Sequence, residues 1–266
     1  MFNDIRIANN FWEALQLQIR VIYALMLRET KTMYGRSSFG YLWVIVQTAF
    51  GIVVFWGIRE VMGAKTEGIP IPVFLITGFT AWNLFSDSLN KLMAAVNANT
   101  ALLYYSKVRH FDLFLSRVLL CGATNLVVLV LMLTAADFAN IDIRVSNLYP
   151  FIVAWMLLMA IGSGLGMMCC GLQRYLPSVG ILVSMILRIA LFISGVIFPY
   201  SAIPADYQFL AEMNPIFHLI EYSRESFSYS YTVSFVDLRM VSMVALMCLL
   251  AGFLVETGTR KKVDLV

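Results

Sequence analysis

Apolar residues gather into long runs separated by short polar breaks, and six of these runs approach the length of about 20 residues that crosses a bilayer. They are Phe39–Ile58, Ile69–Leu89, Leu113–Ala136, Leu148–Leu172, Val179–Phe198 and Phe235–Val255. Pro70 and Pro72 mark the start of the second, and the short stretch Gln173 to Pro177 parts the fourth from the fifth. Between the last two runs lies Pro199 to Ser234, too polar to cross yet dotted with Tyr200, Phe209, Ile216, Phe217 and Leu219. That mixture predicts short helices re-entering the membrane, because irregular backbone at membrane depth needs cover from protein or water. Ahead of the first run, Asn9, Glu13, Gln16, Arg20 and Tyr23 recur at steps of four and three, leaving Phe11, Trp12, Leu15, Ile19, Ile22 and Met26 elsewhere on the helix. Only Gln18 breaks the stripe. A helix of this kind lies in the interface plane, as a membrane-resting anchor or as a docking cradle for a soluble partner.

The pattern predicts an all-α integral membrane protein: an N-terminal segment 1–38 with an interfacial helix, a six-span domain 39–256 with re-entrant helices between spans five and six, and a basic tail 257–266. Composition agrees, with 60% hydrophobic and 13% charged residues against globular averages of about 45–50% and 25%. This excludes most soluble enzymes and DNA-binding proteins. The net charge of +3 is not gathered into a basic face, so no nucleic-acid partner is expected. Lysine and arginine set orientation instead. Arg6, Arg20, Arg28, Lys31, Arg36, Lys91, Lys107, Arg109, Arg174 and the Arg260 to Lys262 cluster fall on one side; Arg59, Lys65, Arg144 and Arg224 fall on the other, with Arg239 near its edge. Both termini are therefore expected in the cytoplasm. The chain opens with no basic region, short apolar stretch and cleavage site, so the N-terminal segment is expected to be kept.

The chemistry expected of an enzyme is missing. Gly63, Ala64, Lys65 and Thr66 are the nearest fragment to a phosphate loop and lack its second glycine. Two histidines, His110 and His218, and no clustered carboxylates within the spans give neither a metal centre nor an acid–base pair. The four cysteines, Cys121, Cys169, Cys170 and Cys248, lie in apolar runs and read as small hydrophobes. Gly162, Ser163, Gly164, Leu165 and Gly166 contain the small-residue spacing that lets helices approach, within one chain or between two. Arg188 falls near the middle of the fifth span, where a lone charge costs about 2.5–3.5 kcal/mol on insertion scales. It either lines a solvated pathway for anionic substrate groups or pairs with Asp87 or backbone carbonyls. Tyr41, Trp43, Trp82 and Tyr200 are either belt aromatics or stacking surfaces for sugar rings.

Three stretches together resemble a known family. Arg28, Glu29, Thr30 and Lys31, then Tyr34, Ser37, Ser38, Gly40 to Trp43 and Gln47, resemble the approach to the first span in permeases of ABC-type polysaccharide exporters. Glu29 stands where Asp is usual and Thr48 where Pro is common. Gly78 to Phe85 matches the second-span pattern loosely. The most specific stretch is Ser194 to Tyr200, Ile203 and Pro204, then Asn214, Pro215, His218, Glu221 and Arg224, which looks like the S-G-x-x-F-P, I-P and N-P-x-x-H-x-x-E-x-x-R series of the capsule-polysaccharide branch.

The resemblance implies a permease that works as a homodimer with two copies of a cytoplasmic ATPase and exports a lipid-linked polysaccharide across the inner membrane. No cofactor is expected in this chain; ATP and magnesium belong to the ATPase. Periplasmic co-polymerase and outer-membrane export proteins are implied as further partners. The loop between spans two and three, with Asn97 or Thr100 as helix cap, is implied to dock on the ATPase through Asn97, Ala98, Asn99, Thr100 and Leu102, helped by Glu13 and Arg20 of the N-terminal helix. Phe198, Pro199, Pro204, Asn214, Pro215, His218, Glu221 and Arg224 are implied to form a periplasmic gate, with Tyr41, Trp43, Trp82, Arg188 and Tyr200 along the substrate pathway. Export of O-antigen or teichoic acid is the nearer alternative, and a non-transporting membrane scaffold the more distant one.

Overall fold

A computed structural model describes residues 11–34, 40–63, 68–99 and 109–260. Among them the chain is helical with no strand. The helices are α1 (Phe11–Tyr34), α2 (Gly40–Val61), α3 (Ile71–Met93), α4 (His110–Phe138), α5 (Tyr149–Gln173), α6 (Val179–Ile193), α7 (Gln208–Glu212), α8 (Pro215–Arg224) and α9 (Leu238–Arg260). Four of them contain segments long and apolar enough to cross a membrane: Leu42–Val61, His110–Phe138, Tyr149–Gln173 and Leu238–Thr259. The predicted fifth span is shorter. α6 has 15 residues, about 22 Å of helix, because Ser194 ends it and Gly195 turns left-handed at φ 73°. A Cβ on Gly195 would lie 2.8 Å from the Phe217 ring, so both conformation and space require glycine there.

The second predicted span, α3, is the inner helix. Most of its residues are buried, from Val73 through Leu92, and it contacts α2, α4, α5 and α8. Thr77 and Thr80 satisfy their hydroxyls on the carbonyls of Val73 and Ile76 at 2.9 and 2.7 Å, so they sit in the core without a distant partner. α5 lies between α3 and α9, and its small residues set both distances. A Cβ on Gly162 would meet the Phe85 carbonyl at 2.7 Å and one on Gly166 the Leu89 carbonyl at 2.8 Å, both on α3. On Gly164 it would meet the backbone of Cys248 on α9 at 2.4 Å. The glycine series is thus consumed by packing within the chain. α2 and α6 are the loosely held elements: α6 has no buried residue, and Trp43, Phe50 and Val53 on α2 are exposed.

The helix predicted to lie in the interface is attached more firmly than its stripe suggests. α1 packs on α4, with Leu25 and Glu29 buried. Gln18, which breaks the stripe, lies on this docked side and donates to Asp112. Leu15, Ile19 and Leu27 stay exposed, leaving an apolar strip on the free side.

Candidate functional site

The segment from Ser194 to Asp237 closes one end of the bundle and contains every residue of the gate expectation. Pro199 and Pro204 adopt extended backbone and each precedes a short 3-10 turn, Tyr200–Ala202 and Ala205–Tyr207. Asn214 caps α8, its side-chain oxygen accepting from the N–H groups of Ile216 and Phe217 at 3.0 and 3.4 Å, and Pro215 follows in the first turn. So started, α8 runs into the bundle against α3 and α5 and buries Phe217, His218, Leu219, Ile220, Glu221 and Arg224.

Arg224 is fully buried, with 0% of its surface exposed. It donates to Glu221 Oε1 at 3.0 Å, to the Val196 carbonyl at 3.1 Å and to the Phe74 carbonyl at 3.3 Å. Its guanidinium carbon lies 3.4 Å from the centre of the Phe74 ring. Arg59, 3% exposed at the end of α2, approaches the same ring at 5.0 Å and donates to the Ile197 carbonyl at 3.1 Å. Two cations therefore share one aromatic ring, and each takes a carbonyl from the Val196–Ile197 stretch. This arrangement needs Gly78: a Cβ there would stand 2.5 Å from Arg224 Nη2 and 2.8 Å from the Val196 carbonyl oxygen. The Gly78 of the second-span pattern and the Arg224 of the third stretch are one structural unit.

Glu221 balances Arg224, and its second oxygen accepts from the Tyr231 hydroxyl. Burial, followed by the Glu221 charge, raises the Tyr231 hydroxyl above its ordinary value and keeps it a donor. His218, 2% exposed, joins two loops. Its Nδ1 accepts from the Asp237 N–H at 3.2 Å, which leaves Nε2–H to donate to the Glu212 carbonyl at 2.7 Å. Phe198 stays 46% exposed at the edge. Tyr200 is half-buried; it stacks on Phe235 with ring centres 4.1 Å apart and donates its hydroxyl to Glu212 at 2.7 Å.

The rest of the pathway expectation is scattered. Trp43 is 69% exposed on α2, and Arg188 is exposed on α6. Trp82 is 5% exposed inside the core, packed on Phe85 at 5.6 Å, so its ring faces are taken. Tyr41 falls in the first turn of α2. The Arg188–Asp87 pair does not form: Asp87 accepts from Lys91 at 3.3 Å and from Asn125 at 3.4 Å, and Arg188 makes no salt bridge among the described residues.

At the opposite end, the Arg28–Glu29 stretch has a mechanical explanation. Glu29 pairs with Arg117 of α4 at 2.5 Å, both nearly enclosed, while Arg28 donates to Asn99 in the 3-10 turn Asn97–Asn99. The longer Glu in place of the usual Asp reaches α4 directly. Thr48, in place of Pro, keeps α2 unbroken and accepts from Asn83 of α3 at 3.2 Å. α1 and the α3–α4 turn thus meet, with Arg20, Asn97 and Ala98 exposed and Asn99 buried. Glu13 lies on α1, and Thr100 and Leu102 lie outside the described residues. A tie absent from the expectations joins α4 to α5 and α9 there. Glu256 of α9 meets His110 at 2.6 Å and Arg174 at 3.3 Å, and Arg174 also donates to Thr259 at 3.0 Å. Among the described residues no group of histidine, cysteine or carboxylate could hold a metal.

The profile of the family described as ABC-2 type transporter matches residues 20–228. The polysialic acid transport protein KpsM of Escherichia coli is 29% identical over 238 residues, 89% of this chain and 92% of its own. The capsule polysaccharide export inner-membrane protein CtrC of Neisseria meningitidis is 28% identical over 261 residues, 96% of this chain and 97% of its own. The capsule polysaccharide export inner-membrane protein BexB of Haemophilus influenzae is 26% identical over 257 residues, 96% of each.

Proposed function

The chain belongs to the ABC-2 type transporter family, and we propose that it is the permease of an exporter that carries lipid-linked capsular polysaccharide from the cytoplasm to the periplasm. The observation that carries this reading is the alignment, over nearly its whole length, with inner-membrane proteins named for export of capsule polysaccharide. What supports it in the structure is the network in which Gly78 of the second-span pattern makes room for Glu221 and Arg224, two residues of the series that resembles the capsule-polysaccharide branch. In this reading α2, α3, α4, α5, α6 and α9 make six crossings with both termini in the cytoplasm. α7 and α8 form the re-entrant gate, with Phe198, Pro199 and Pro204 at its edge and Asn214 to Arg224 as its anchor.

Two copies pair, and the exposed faces of α2 and α6, with Trp43 and Arg188, line a solvated path between them. A separate cytoplasmic ATPase dimer binds ATP and magnesium and pushes on α1 and the Asn97–Asn99 turn. The Arg28–Asn99 and Glu29–Arg117 contacts pass that push to α3 and α4. Periplasmic co-polymerase and outer-membrane proteins receive the polymer.

The test uses an encapsulated bacterium lacking its own permease, which holds its polymer inside. This chain, expressed with its ATPase, should return polymer to the surface, and an ATPase unable to hydrolyse ATP should abolish the recovery. The purified permease should turn over no ATP alone. Surface polymer that appears without the working ATPase would overturn the reading.

A further inference from the structure

Beside the Arg224 network, at the same end of the bundle, lies a cavity of about 210 Å³ lined in part by Pro199, Tyr200 and Glu221. Its wall is the Tyr200–Phe235 stack, inclined by only 18°. Its floor is Glu221 and Tyr231, with Glu221 already accepting from both Tyr231 and Arg224. Its rim carries the exposed hydroxyl residues Ser201, Ser230, Thr232 and Ser234. The last three alternate with Tyr231, Val233 and Phe235, and exposure alternates in step: Ser230, Thr232 and Ser234 are exposed, and Tyr231, Val233 and Phe235 are half-buried. Ser230, Thr232 and Ser234 thus set three hydroxyl side chains at the exposed edge of the cavity.

We propose that this cavity is a binding subsite for one uncharged, hydroxyl-bearing saccharide unit of the exported polymer, on the reading that the chain exports polysaccharide. The side of the half-buried Tyr200 ring turned away from Phe235 takes the apolar C–H face of a pyranose ring, and serine and threonine hydroxyls both donate to and accept from ring hydroxyls. The volume is below the about 300–1,000 Å³ of pockets for drug-sized ligands, which fits a single ring. The floor adds no net charge, because Glu221 is balanced by Arg224, so the pocket selects neither an acidic nor a basic group. Ser201 comes from the turn after Pro199, and Thr232 and Ser234 from the strap leading to α9. A saccharide held between them bridges two pieces of the gate.

The test labels Ser234→Cys with a membrane-impermeant maleimide in whole cells, with Asp206→Cys, exposed on a neighbouring turn, as the control. The chain's own cysteines lie inside α4, α5 and α9, and the unaltered chain measures their background. In cells exporting polymer, labelling of Ser234→Cys should fall about tenfold relative to cells that make none, with Asp206→Cys unchanged. Thr232→Trp, which fills the cavity from an exposed position, should lower export by a similar factor at normal permease levels. Equal labelling with and without polymer overturns the proposal, and so does protection that persists without polymer, since a protein partner then occupies the pocket. If the unaltered chain exports no polymer, the broader functional reading fails instead.

Discussion

Gly78→Ala adds one methyl group at the most crowded point of the Arg224 network, and Gly57→Ala adds the same group on α2 where nothing lies within 4 Å. Each change removes a helix-interior glycine, which by itself favours the helix by about 1 kcal/mol. The surroundings then decide the sign. At position 57 no opposing contact exists, so the protein should gain stability. At position 78 the new Cβ falls 2.5 Å from Arg224 Nη2 and 2.8 Å from the Val196 oxygen, the donor and acceptor of a single hydrogen bond. Overpacking costs about 1–3 kcal/mol, and loss of a charged hydrogen bond about 1.5–3 kcal/mol more. After the helix gain, the net loss is about 2–5 kcal/mol. Thermal unfolding of the purified permease in detergent, followed by the loss of monodisperse protein, measures the difference. Gly78→Ala should melt below the unaltered protein by about 5 °C or more, and Gly57→Ala at or above it. A Gly78→Ala variant as stable as Gly57→Ala would refute the view that Gly78 exists to admit the guanidinium.

Arg224→Met should strand the buried Glu221 charge and cost about 3–5 kcal/mol, lowering permease in the membrane. Arg224→Met combined with Glu221→Met should recover part of that loss, and normal levels of the single variant on a membrane immunoblot would contradict it. Gly164→Val should force α5 and α9 apart and unfold the protein at markedly lower temperature, whereas Gly258→Ala, with open space around it, should leave the melting temperature unchanged or raised. Arg188→Ala should leave permease level and melting temperature intact while reducing export, and Asp87→Asn should not restore that export. Loss of Arg188→Ala protein from the membrane would show that the guanidinium has a structural partner.

The long helices were legible because an apolar run has a length. Predicted Leu148–Leu172 emerges as Tyr149–Gln173, and Phe39–Ile58 as Gly40–Val61. Ends misread where polar residues extend a helix: α4 starts at His110, where the Arg109 N–H donates to Asp112 at 3.1 Å, and α9 continues past Val255 so that Glu256 can meet His110 and Arg174. α6 ended early because Gly195 carries a backbone conformation that hydropathy does not register. The stretch from Ser194 to Arg224 stands out by its residue spacing, but the reason for that spacing is hidden in the sequence. The sequence assigns Arg59 and Arg224 to one side of the membrane and Arg224 to the third stretch, and only the fold shows them enclosed around Phe74, a residue with no chemical signature of its own. Trp82 misled in the opposite way, since an aromatic ring in a span is consistent with either a pathway or a core, and packing alone decides.

The enclosure of α3 bears on how the protein is made. Unlike the four long apolar helices, α3 carries Asn83, Ser86, Asp87, Asn90 and Lys91 along its second half, and each charged residue placed in lipid opposes insertion. In the folded chain Asn83 meets Thr48 of α2, and Asp87, paired with Lys91, meets Asn125 of α4. During synthesis α4 is not yet available, so α3 has no complete set of partners when it leaves the ribosome. On the proposal that α3 is one of six crossings, its stable integration should wait for α4, making α3 and α4 a hairpin that enters the bilayer together, and a chain cut short before α4 should leave α3 open to extraction from the membrane.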